Sequence, residues 1–253
     1  MAKKFKTKNE SEMKTIILSG GIGSRLKEET EFKPKPMIEI GSQPIIWHIM
    51  SMYRRYGYKD FIIAAGYKID VFRDWLIRRT HFPPQDDFNI QIVDTGLETL
   101  TGERVKMCGE YVGRGPFMVT YGDGLSNINL QSVQYSHENS GKLATVSTFY
   151  PMLKYGGFTL KPLSFQKKAQ LEQPINGGFM VFENKVLDTI GDGSMIEDIF
   201  PSLIDQKQLN IYEHKGYFQS MDTYADMEAL NNIFMGNTTS PPWMVDPQYE
   251  ETD

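Results

Sequence analysis

The sequence predicts an α/β fold in which a mostly parallel sheet is covered by helices on both faces. Between Thr15 and Phe149, short apolar runs typical of strands alternate with segments of helical period. The length of 253 residues suits one such domain, and the hydrophobic and charged fractions of 40% and 23% are those of globular proteins. Ligands of such sheets bind at the carboxyl ends of the strands. The residues that follow each predicted strand are therefore the candidates for function.

Each predicted strand is a short apolar run, and each predicted helix has one apolar face. In the first long helix, Ile45, Ile49 and Tyr53 share a face, while Arg54 and Arg55 can point to water. In chain order the predicted elements are the strand 15–18, the helix 45–56, the strand 61–65, the helix 71–77 and the strands 90–93, 117–121 and 144–149. This alternation predicts a sheet that is buried on both faces.

After Tyr150 the pattern changes to short apolar runs that are broken by glycine and proline. It predicts a small antiparallel part with runs at 158–160 and 179–182, followed by helices over 197–205 and 224–234. The sequence thus divides into a flexible tail (1–12), one domain (13–236) with halves of about 13–150 and 151–236, and an extended C-terminal arm (237–253).

The net charge and the cysteine content argue against several classes of protein. A charge of −5 disfavours broad nucleic-acid binding, which needs a surplus of cations on one face. Cys108 is the single cysteine, which excludes an internal disulfide and suits a reducing cytoplasm, and we expect it to be buried and inert.

No apolar run approaches the roughly 20 residues of a membrane helix. The lysine-rich start lacks the apolar region of a secretory signal.

A glycine loop follows the first predicted strand. It contains Gly20, Gly21, Gly23, Ser24 and Arg25. A Rossmann fingerprint would have a third glycine where Leu26 stands, and the Lys-Ser/Thr of a P-loop is missing. Arg25 could instead grip two phosphate oxygens, with Lys35, stiffened by its flanking prolines, as a second cation. The pattern favours a nucleotide-phosphate site, and the alternative is a glycine turn with an exposed basic loop.

Two acidic residues stand at the ends of predicted elements. Asp123 lies between two glycines after the strand 117–121, and Asp222 precedes the helix 224–234. Such carboxylates can hold Mg²⁺ against phosphate oxygens. The alternatives are an Asp-Gly turn at Asp123 and a helix cap at Asp222. Two cations together with two carboxylates are consistent with phosphoryl or nucleotidyl transfer.

Six motifs occur in the same order as in the sugar-1-phosphate nucleotidylyltransferases, a family that this chain resembles from about Met13 to Trp243. They are the segments 20–26, 33–37, 93–96, 121–124, 176–179 and 221–223. Within the family, the chain resembles the glucose-1-phosphate cytidylyltransferases in particular. The resemblance implies a Rossmann-like nucleotidyltransferase fold, CTP as nucleotide donor, a sugar 1-phosphate as acceptor, Mg²⁺ as cofactor and release of pyrophosphate. It also implies a homo-oligomer that supplies activated sugars for polysaccharide biosynthesis.

The resemblance further implies a role for each matching position. Arg25 and Lys35 would be catalytic by gripping the triphosphate, and Asp123 and Asp222 would hold the metal. The positions implied to bind the nucleotide, in the half 13–150, are Gly20, Gly21, Gly23, Ser24, Thr95, Gly96 and Arg104. The positions implied to bind the acceptor, in the half 151–236, are Lys168, Asn176 and Gly177.

Arg104 resembles a residue that faces the pyrimidine in this family. Arginine only donates hydrogen bonds, and cytosine offers acceptors at N3 and O2, whereas uracil and thymine present a donor at N3. An arginine at this position would therefore help to reject the wrong bases. The alternative is a solvated charge on a helix.

The sequence departs from the family pattern at 167–169, where Lys-Lys-Ala stands in place of the usual Glu-Lys-Pro. A cation at Lys167 thus replaces an acceptor of sugar hydroxyl groups, so acceptors other than glucose 1-phosphate stay open. Further alternatives are another nucleoside triphosphate and a catalytically silent nucleotide-binding regulator. A dehydrogenase is disfavoured by the missing third glycine.

Overall fold

The computed structural model describes residues 13–78, 87–152, 156–167, 171, 173–236 and 240–245. The strands are β1 (Thr15–Ser19), β2 (Glu39–Ile40), β3 (Gln43–Pro44), β4 (Asp60–Ala65), β5 (Asn89–Asp94), β6 (Phe117–Tyr121), β7 (Gly124–Ser126), β8 (Ala144–Phe149), β9 (Gly157–Leu160), β10 (Leu163–Gln166), β11 (Ile175–Phe182), β12 (Leu209–His214) and β13 (Phe218–Ser220). The helices are α1 (Lys27–Thr30), α2 (Ile45–Arg55), α3 (Ile69–Ile77), α4 (Thr101–Met107), α5 (Gly109–Val112), α6 (Leu130–Ser140), α7 (Phe200–Asp205) and α8 (Tyr224–Gly236). Short 3₁₀ turns span Ser24–Leu26, Lys35–Met37, Asn184–Thr189, Ile196–Ile199 and Pro242–Met244.

A seven-stranded sheet with the order β12-β8-β11-β6-β1-β4-β5 forms the centre of the fold. Strand β11 runs antiparallel to its neighbours β6 and β8, and the other pairings in this sheet are parallel. Three small antiparallel pairs accompany it, namely β2 with β3, β7 with β13 and β9 with β10. The predicted fold class, a mostly parallel sheet with a small antiparallel part, is confirmed.

Alternate residues of the central strands enter two separate cores, because successive side chains of a strand point to opposite faces. On β1, Ile17 packs with Phe72 of α3 and Leu230 of α8. Ile16 of the same strand packs in the other core with Val105 of α4, and the buried Leu203 of α7 belongs to that core as well. The sheet is therefore covered by helices on both faces, as the apolar pattern predicts.

The register of the sheet brings three loops to one edge. Leu18 pairs with Tyr121 in the parallel β1–β6 ladder, so both strands end at the same level. The amide of Gly122 then donates to the carbonyl oxygen of Leu18 (3.0 Å), and the amide of Tyr67 donates to the carbonyl oxygen of Gly20 (3.1 Å). The residues that follow β1, β4 and β6 therefore meet at the carboxyl edge.

The segment 197–205, predicted as one helix, is a 3₁₀ turn over Ile196–Ile199 that continues into α7. Pro201 lies at the start of α7 and has no N–H to donate back to the preceding turn. A single α-helix from 197 onward would lose that hydrogen bond, so the first turn tightens instead.

Cys108 lies between α4 and α5 and is fully buried. Burial raises the pKa of its thiol to about 12, which keeps it protonated at neutral pH. This agrees with the expected inert thiol. In the part of the chain that the structure describes, no helix is long and apolar enough to cross a bilayer.

The predicted C-terminal arm is described only over 240–245. There, the turn Pro242–Met244 places Trp243 in the main core with no exposed surface. Its ring lies 5.9 Å from that of Tyr217 and 6.1 Å from that of His48, measured between centroids. Within 240–245, the segment is thus anchored to the domain mainly by the buried side chain of Trp243.

Candidate functional site

Four charged side chains that the sequence singles out come together at the carboxyl edge of the sheet. The ammonium Nζ of Lys35 lies 2.6 Å from Oδ2 of Asp123 and 3.0 Å from Oδ1 of Asp222. The guanidinium Nη1 of Arg25 lies 3.4 Å from the same Oδ1 of Asp222. One cation thus joins the two carboxylates, and a second lies at the rim, where the Arg25 side chain is 75% exposed.

Lys35 is held by the short turn in which it lies. The amide of Met37 donates to the carbonyl oxygen of Pro34 (2.8 Å), and the amide of Ile38 donates to that of Lys35 (3.1 Å). Pro34 and Pro36 are buried on either side of the lysine. Because proline fixes φ, this segment loses little entropy when the ammonium group is held in place.

The two carboxylates are brought together by the β7–β13 pair. Asp123 precedes β7 and Asp222 follows β13, and Gly124 pairs with Ser220 in this antiparallel ladder. The amide of Met221 also donates to the carbonyl oxygen of Asp123 (2.9 Å). A hairpin-like pairing between distant parts of the chain therefore sets the separation of the two acids.

The charges stabilise one another electrostatically. Burial by itself lowers the pKa of Lys35, but Asp123 and Asp222 outweigh this effect and raise it above the ordinary value. Burial tends to raise the pKa of Asp222, and the hydrogen bonds from Lys35 and Ser220 bring it below its ordinary value. At neutral pH the lysine is therefore cationic and Asp222 is ionised.

The helix-cap interpretation of Asp222 is wrong. Asp226 accepts from the amide and the hydroxyl of Thr223 (both 2.8 Å), and Thr223 Oγ1 accepts in turn from the amide of Asp226 (3.3 Å). This reciprocal pair caps α8. The carboxylate of Asp222 faces Lys35 instead, with Ser220 donating to its Oδ2 (2.8 Å).

A cavity of about 320 Å³ opens in front of these charges. It is lined by Leu18, Ser19, Gly21, Gly23, Ser24, Arg25, Lys35, Pro36, Tyr121, Gly122, Asp123 and Asp222. This volume lies at the lower end of the range for ligand pockets, roughly 300–1,000 Å³. The glycine loop, both cations and both carboxylates thus share one concave surface.

A second cluster contains the remaining residues that the sequence assigns to the nucleotide, namely Gly20, Thr95, Gly96 and Arg104. Arg104 is buried, so its interpretation as a solvated helix charge is wrong. Its guanidinium donates to Gly96 O (2.7 Å), Leu97 O (3.0 Å) and Thr95 Oγ1. Burial lowers the pKa of this guanidinium, and its donors are engaged by the loop after β5.

Gly20 leaves the space that Arg104 occupies, and this contact leads to a prediction. A Cβ on Gly20 would lie 1.9 Å from Nη1 of Arg104, whose hydrogen bonds prevent it from moving away freely. We expect Gly20→Ala to lower the free energy of unfolding by about 1–3 kcal/mol, measured by urea denaturation. Gly21→Ala is the matched control, because a Cβ there meets nothing within 4 Å. Equal stability of the two variants would contradict the prediction.

The residues predicted to bind the acceptor lie on β11, next to Tyr121. Asn176 Oδ1 accepts from the amide of Gly178 (2.9 Å), and the Asn176 side chain hydrogen-bonds Tyr121. A Cβ on Gly177 would lie 1.7 Å from the Phe149 ring, so only glycine fits there. Lys168 lies outside the described residues.

Sequence reasoning missed two polar groups that contact the site. Ser220 donates to Asp222, and Glu197 accepts from the hydroxyl of Tyr121. Ser220 comes directly before the 221–223 motif, so proximity to that motif could have indicated it. Glu197 is separated from Tyr121 by 76 residues and has no motif of its own, so only the fold reveals the contact.

The donor set fits a divalent cation that is shared with phosphate. Two carboxylates converge on a single cationic atom within 3.0 Å, and carboxylate oxygens are the ligands that Mg²⁺ prefers. The described residues contain no group of three or more histidine, cysteine or acidic side chains that could enclose a metal by itself. Phosphate oxygens would have to supply further ligands, which is the usual arrangement for Mg²⁺.

A mostly parallel sheet with clustered charges at its carboxyl edge is typical of α/β enzymes that act on phosphorylated substrates. Residues 14–231 match the family model for nucleotidyl transferases, and the chain belongs to this family. It is 36% identical to the glucose-1-phosphate cytidylyltransferase of Salmonella typhimurium, over 91% of this chain and 98% of that protein. It is 33% identical to the probable glucose-1-phosphate cytidylyltransferase of Bacillus subtilis, over 92% and 100%.

Solved structures share the fold. A putative glucose-1-phosphate thymidylyltransferase from Bacillus anthracis superposes with a TM-score of 0.73 at 18% identity, over 91% of this chain and 98% of that one. HddC from Yersinia pseudotuberculosis, solved with GMP-PN, gives a TM-score of 0.69 at 22% identity, over 88% and 99%. These two structures share the fold, and the predicted family resemblance is confirmed by the family model and by the cytidylyltransferase relatives.

Proposed function

We propose that the protein transfers CMP from CTP to a sugar 1-phosphate, glucose 1-phosphate or a related acceptor, and releases pyrophosphate and a CDP-sugar. The observation that carries this proposal is the contact of Lys35 with both Asp123 and Asp222 beside the glycine loop. CTP and the sugar phosphate come from the similarity to the glucose-1-phosphate cytidylyltransferases.

In the proposed reaction, an oxygen of the acceptor phosphate attacks the α-phosphorus of CTP in line, and the bond from that phosphorus to the pyrophosphate breaks. The acceptor phosphate needs no general base, because a phosphate monoester with a second pKa near 6 is largely ionised at neutral pH. The protein has to bring two anions together and stabilise the charge on the departing pyrophosphate.

Arg25 and Lys35 supply the positive charge for that task. Lys35 is partly buried, so its charge is less screened by water than that of the exposed Arg25. When bound, Mg²⁺ would neutralise phosphate charge, and Asp123 and Asp222 would hold it. The backbone of Gly21 and Gly23 lets the triphosphate approach the loop closely.

We assign the second cluster (Gly20, Thr95, Gly96 and Arg104) a supporting role in binding the cytosine base of CTP. Arg104 is bound to carbonyl oxygens of the loop 95–97, and Gly20 packs against it. Arg104 thereby connects the glycine loop with the loop after β5. Direct selection of cytosine over uracil by Arg104 would use a guanidinium N–H that these contacts leave free, because cytosine offers acceptors at N3 and O2.

The test is a grid of four nucleoside triphosphates against several sugar 1-phosphates, read by pyrophosphate release. We expect release with CTP together with a sugar 1-phosphate. Release with another triphosphate would change the assigned donor. No release with any pair, in a protein that still binds nucleotide by calorimetry, would indicate a regulator and overturn the proposal.

Asp123→Asn should lower kcat by at least about 10²-fold and raise the Mg²⁺ concentration needed for half-maximal rate, because an amide holds a hard cation weakly. The measurement is pyrophosphate release over a Mg²⁺ titration. Asp188→Asn is the control, since Asp188 is an exposed carboxylate in the turn Asn184–Thr189. An unchanged Mg²⁺ profile in Asp123→Asn would remove this residue from the metal site.

A further inference from the structure

Glu197 carries an unused acceptor next to Tyr121, which lines the cavity. Its Oε1 accepts a hydrogen bond from the hydroxyl of Tyr121. Its Oε2 is buried and has no hydrogen-bond partner among the described residues, and no other carboxylate oxygen of those residues is in this condition. A buried acceptor without a partner is destabilising, and more so when it is charged. Such an atom therefore indicates a ligand that supplies a donor.

The position of Glu197 connects it with the acceptor half of the site. Tyr121 lines the cavity in front of the two carboxylates. It is hydrogen-bonded by Asn176, and its ring fills the space where a Cβ on Gly178 would lie, at 2.1 Å. Two elements thus meet Tyr121 at the end of β6: the start of β11 and the turn Ile196–Ile199.

The hydrogen-bond directions in this cluster are settled by chemistry. The hydroxyl of Tyr121 donates to Oε1 of Glu197, because a carboxylate oxygen only accepts. Asn176 uses its side-chain oxygen for the amide of Gly178, which leaves its NH₂ group to donate to the tyrosine oxygen. Each group is accounted for except Oε2 of Glu197.

A sugar presents several hydroxyl donors, and a carboxylate oxygen is an acceptor that suits them. We propose that Oε2 of Glu197 accepts a hydrogen bond from a hydroxyl group of the acceptor sugar, with Tyr121 holding the carboxylate in position. This inference rests on the proposed function and identifies a specificity residue for its acceptor.

The test combines Glu197→Gln with deoxy analogues of the preferred sugar 1-phosphate. In the wild type, removal of one particular hydroxyl should lower kcat/KM by about 10- to 100-fold, which corresponds to a hydrogen bond to a charged group. Glu197→Gln should lower kcat/KM for the intact sugar by a similar factor, with little further loss for that analogue. The KM for CTP should stay within about twofold.

Glu213→Gln is the matched control. Glu213 also accepts from a tyrosine hydroxyl, that of Tyr150, but this pair is exposed. We expect the ratio of kcat/KM for the intact and the deoxy sugar in Glu213→Gln to equal that of the wild type.

Tyr121→Phe separates direct contact from a structural role. It removes the hydroxyl that positions the carboxylate but leaves the carboxylate itself, so the dependence on the sugar hydroxyl should weaken but remain. If Tyr121→Phe instead loses this dependence while Glu197→Gln retains it, Glu197 acts only through the tyrosine and the inference is overturned.

Calorimetry distinguishes failure of the inference from failure of the proposed function. If the wild type releases no pyrophosphate with any pair, the function is wrong, and binding of glucose 1-phosphate to the wild type and to Glu197→Gln is compared directly. A loss of about tenfold in affinity supports the contact. Equal affinities, with unchanged circular dichroism, overturn it.

Discussion

Lys35→Ala is expected to lower kcat/KM by about 10²- to 10³-fold, the usual effect of removing one preorganised electrostatic donor. The ammonium group is the cation that both Asp123 and Asp222 contact, at 2.6 and 3.0 Å. Without it, the two carboxylates face the incoming triphosphate with less positive charge between them. Steady-state pyrophosphate release measures the effect.

The matched control for Lys35 is Lys33→Ala, which removes the same charge from the same segment. Lys33 is not among the described residues that line the cavity. It should therefore change kcat/KM by less than about threefold, the size of a screened surface charge effect. If both variants lose activity equally, the effect is one of overall charge and Lys35 has no specific role.

Trp243→Ala is expected to lower the free energy of unfolding by about 3–5 kcal/mol, the usual cost of truncating a buried tryptophan. The side chain is fully buried. Its Nε1 donates to Nδ1 of His48 (3.3 Å), and its carbonyl oxygen accepts from Nη2 of Arg55 (2.6 Å). The truncation would open a cavity and leave the imidazole without its donor.

His48 is suited to this hydrogen bond. Burial lowers its pKa to about 4, so the ring is neutral at pH 7 and Nδ1 can accept. Its Nε2 then donates to the carbonyl oxygen of Ile40 (2.8 Å). His48 of α2 thereby connects Trp243 of the C-terminal turn with the backbone of Ile40 through two hydrogen bonds.

Urea denaturation followed by circular dichroism measures the loss in Trp243→Ala. Val245→Ala serves as control in the same segment, because its side chain is partly exposed at 44% and should cost less than about 1 kcal/mol. A loss below about 1 kcal/mol in Trp243→Ala would mean that the segment 240–245 adds little to the domain.

Much of the fold could be predicted because its signals are local. The apolar runs at β1, β4, β5, β6 and β8 and the helical face of α2 are visible in the sequence, and the structure has them within a few residues. The prediction of one helix over 197–205 is wrong in its first turn, which is a 3₁₀ turn. That prediction followed the apolar pattern and did not take into account that Pro201 has no N–H. The prolines of segment 237–253 predict an extended arm. They do not indicate where the side chain of Trp243 packs.

The candidate site was only partly visible in the sequence. Its charged residues stand in short motifs, so Arg25, Lys35, Asp123 and Asp222 could be chosen from their neighbours alone. Whether a carboxylate caps a helix or faces a lysine depends on tertiary structure. Asp222 faces Lys35 because Thr223 and Asp226 already cap α8. The roles of these residues in binding metal and nucleotide stay predictions.

The sequence by itself determined the class of fold, the family and the four charged residues of the candidate site, because periodicity and short motifs depend on neighbouring residues. Only the tertiary structure decided which of these groups meet. Asp123 and Asp222 come together through the pairing of β7 with β13, and Glu197 reaches Tyr121 across 76 residues. Contacts of this range arise from sheet order and packing, which no local pattern specifies.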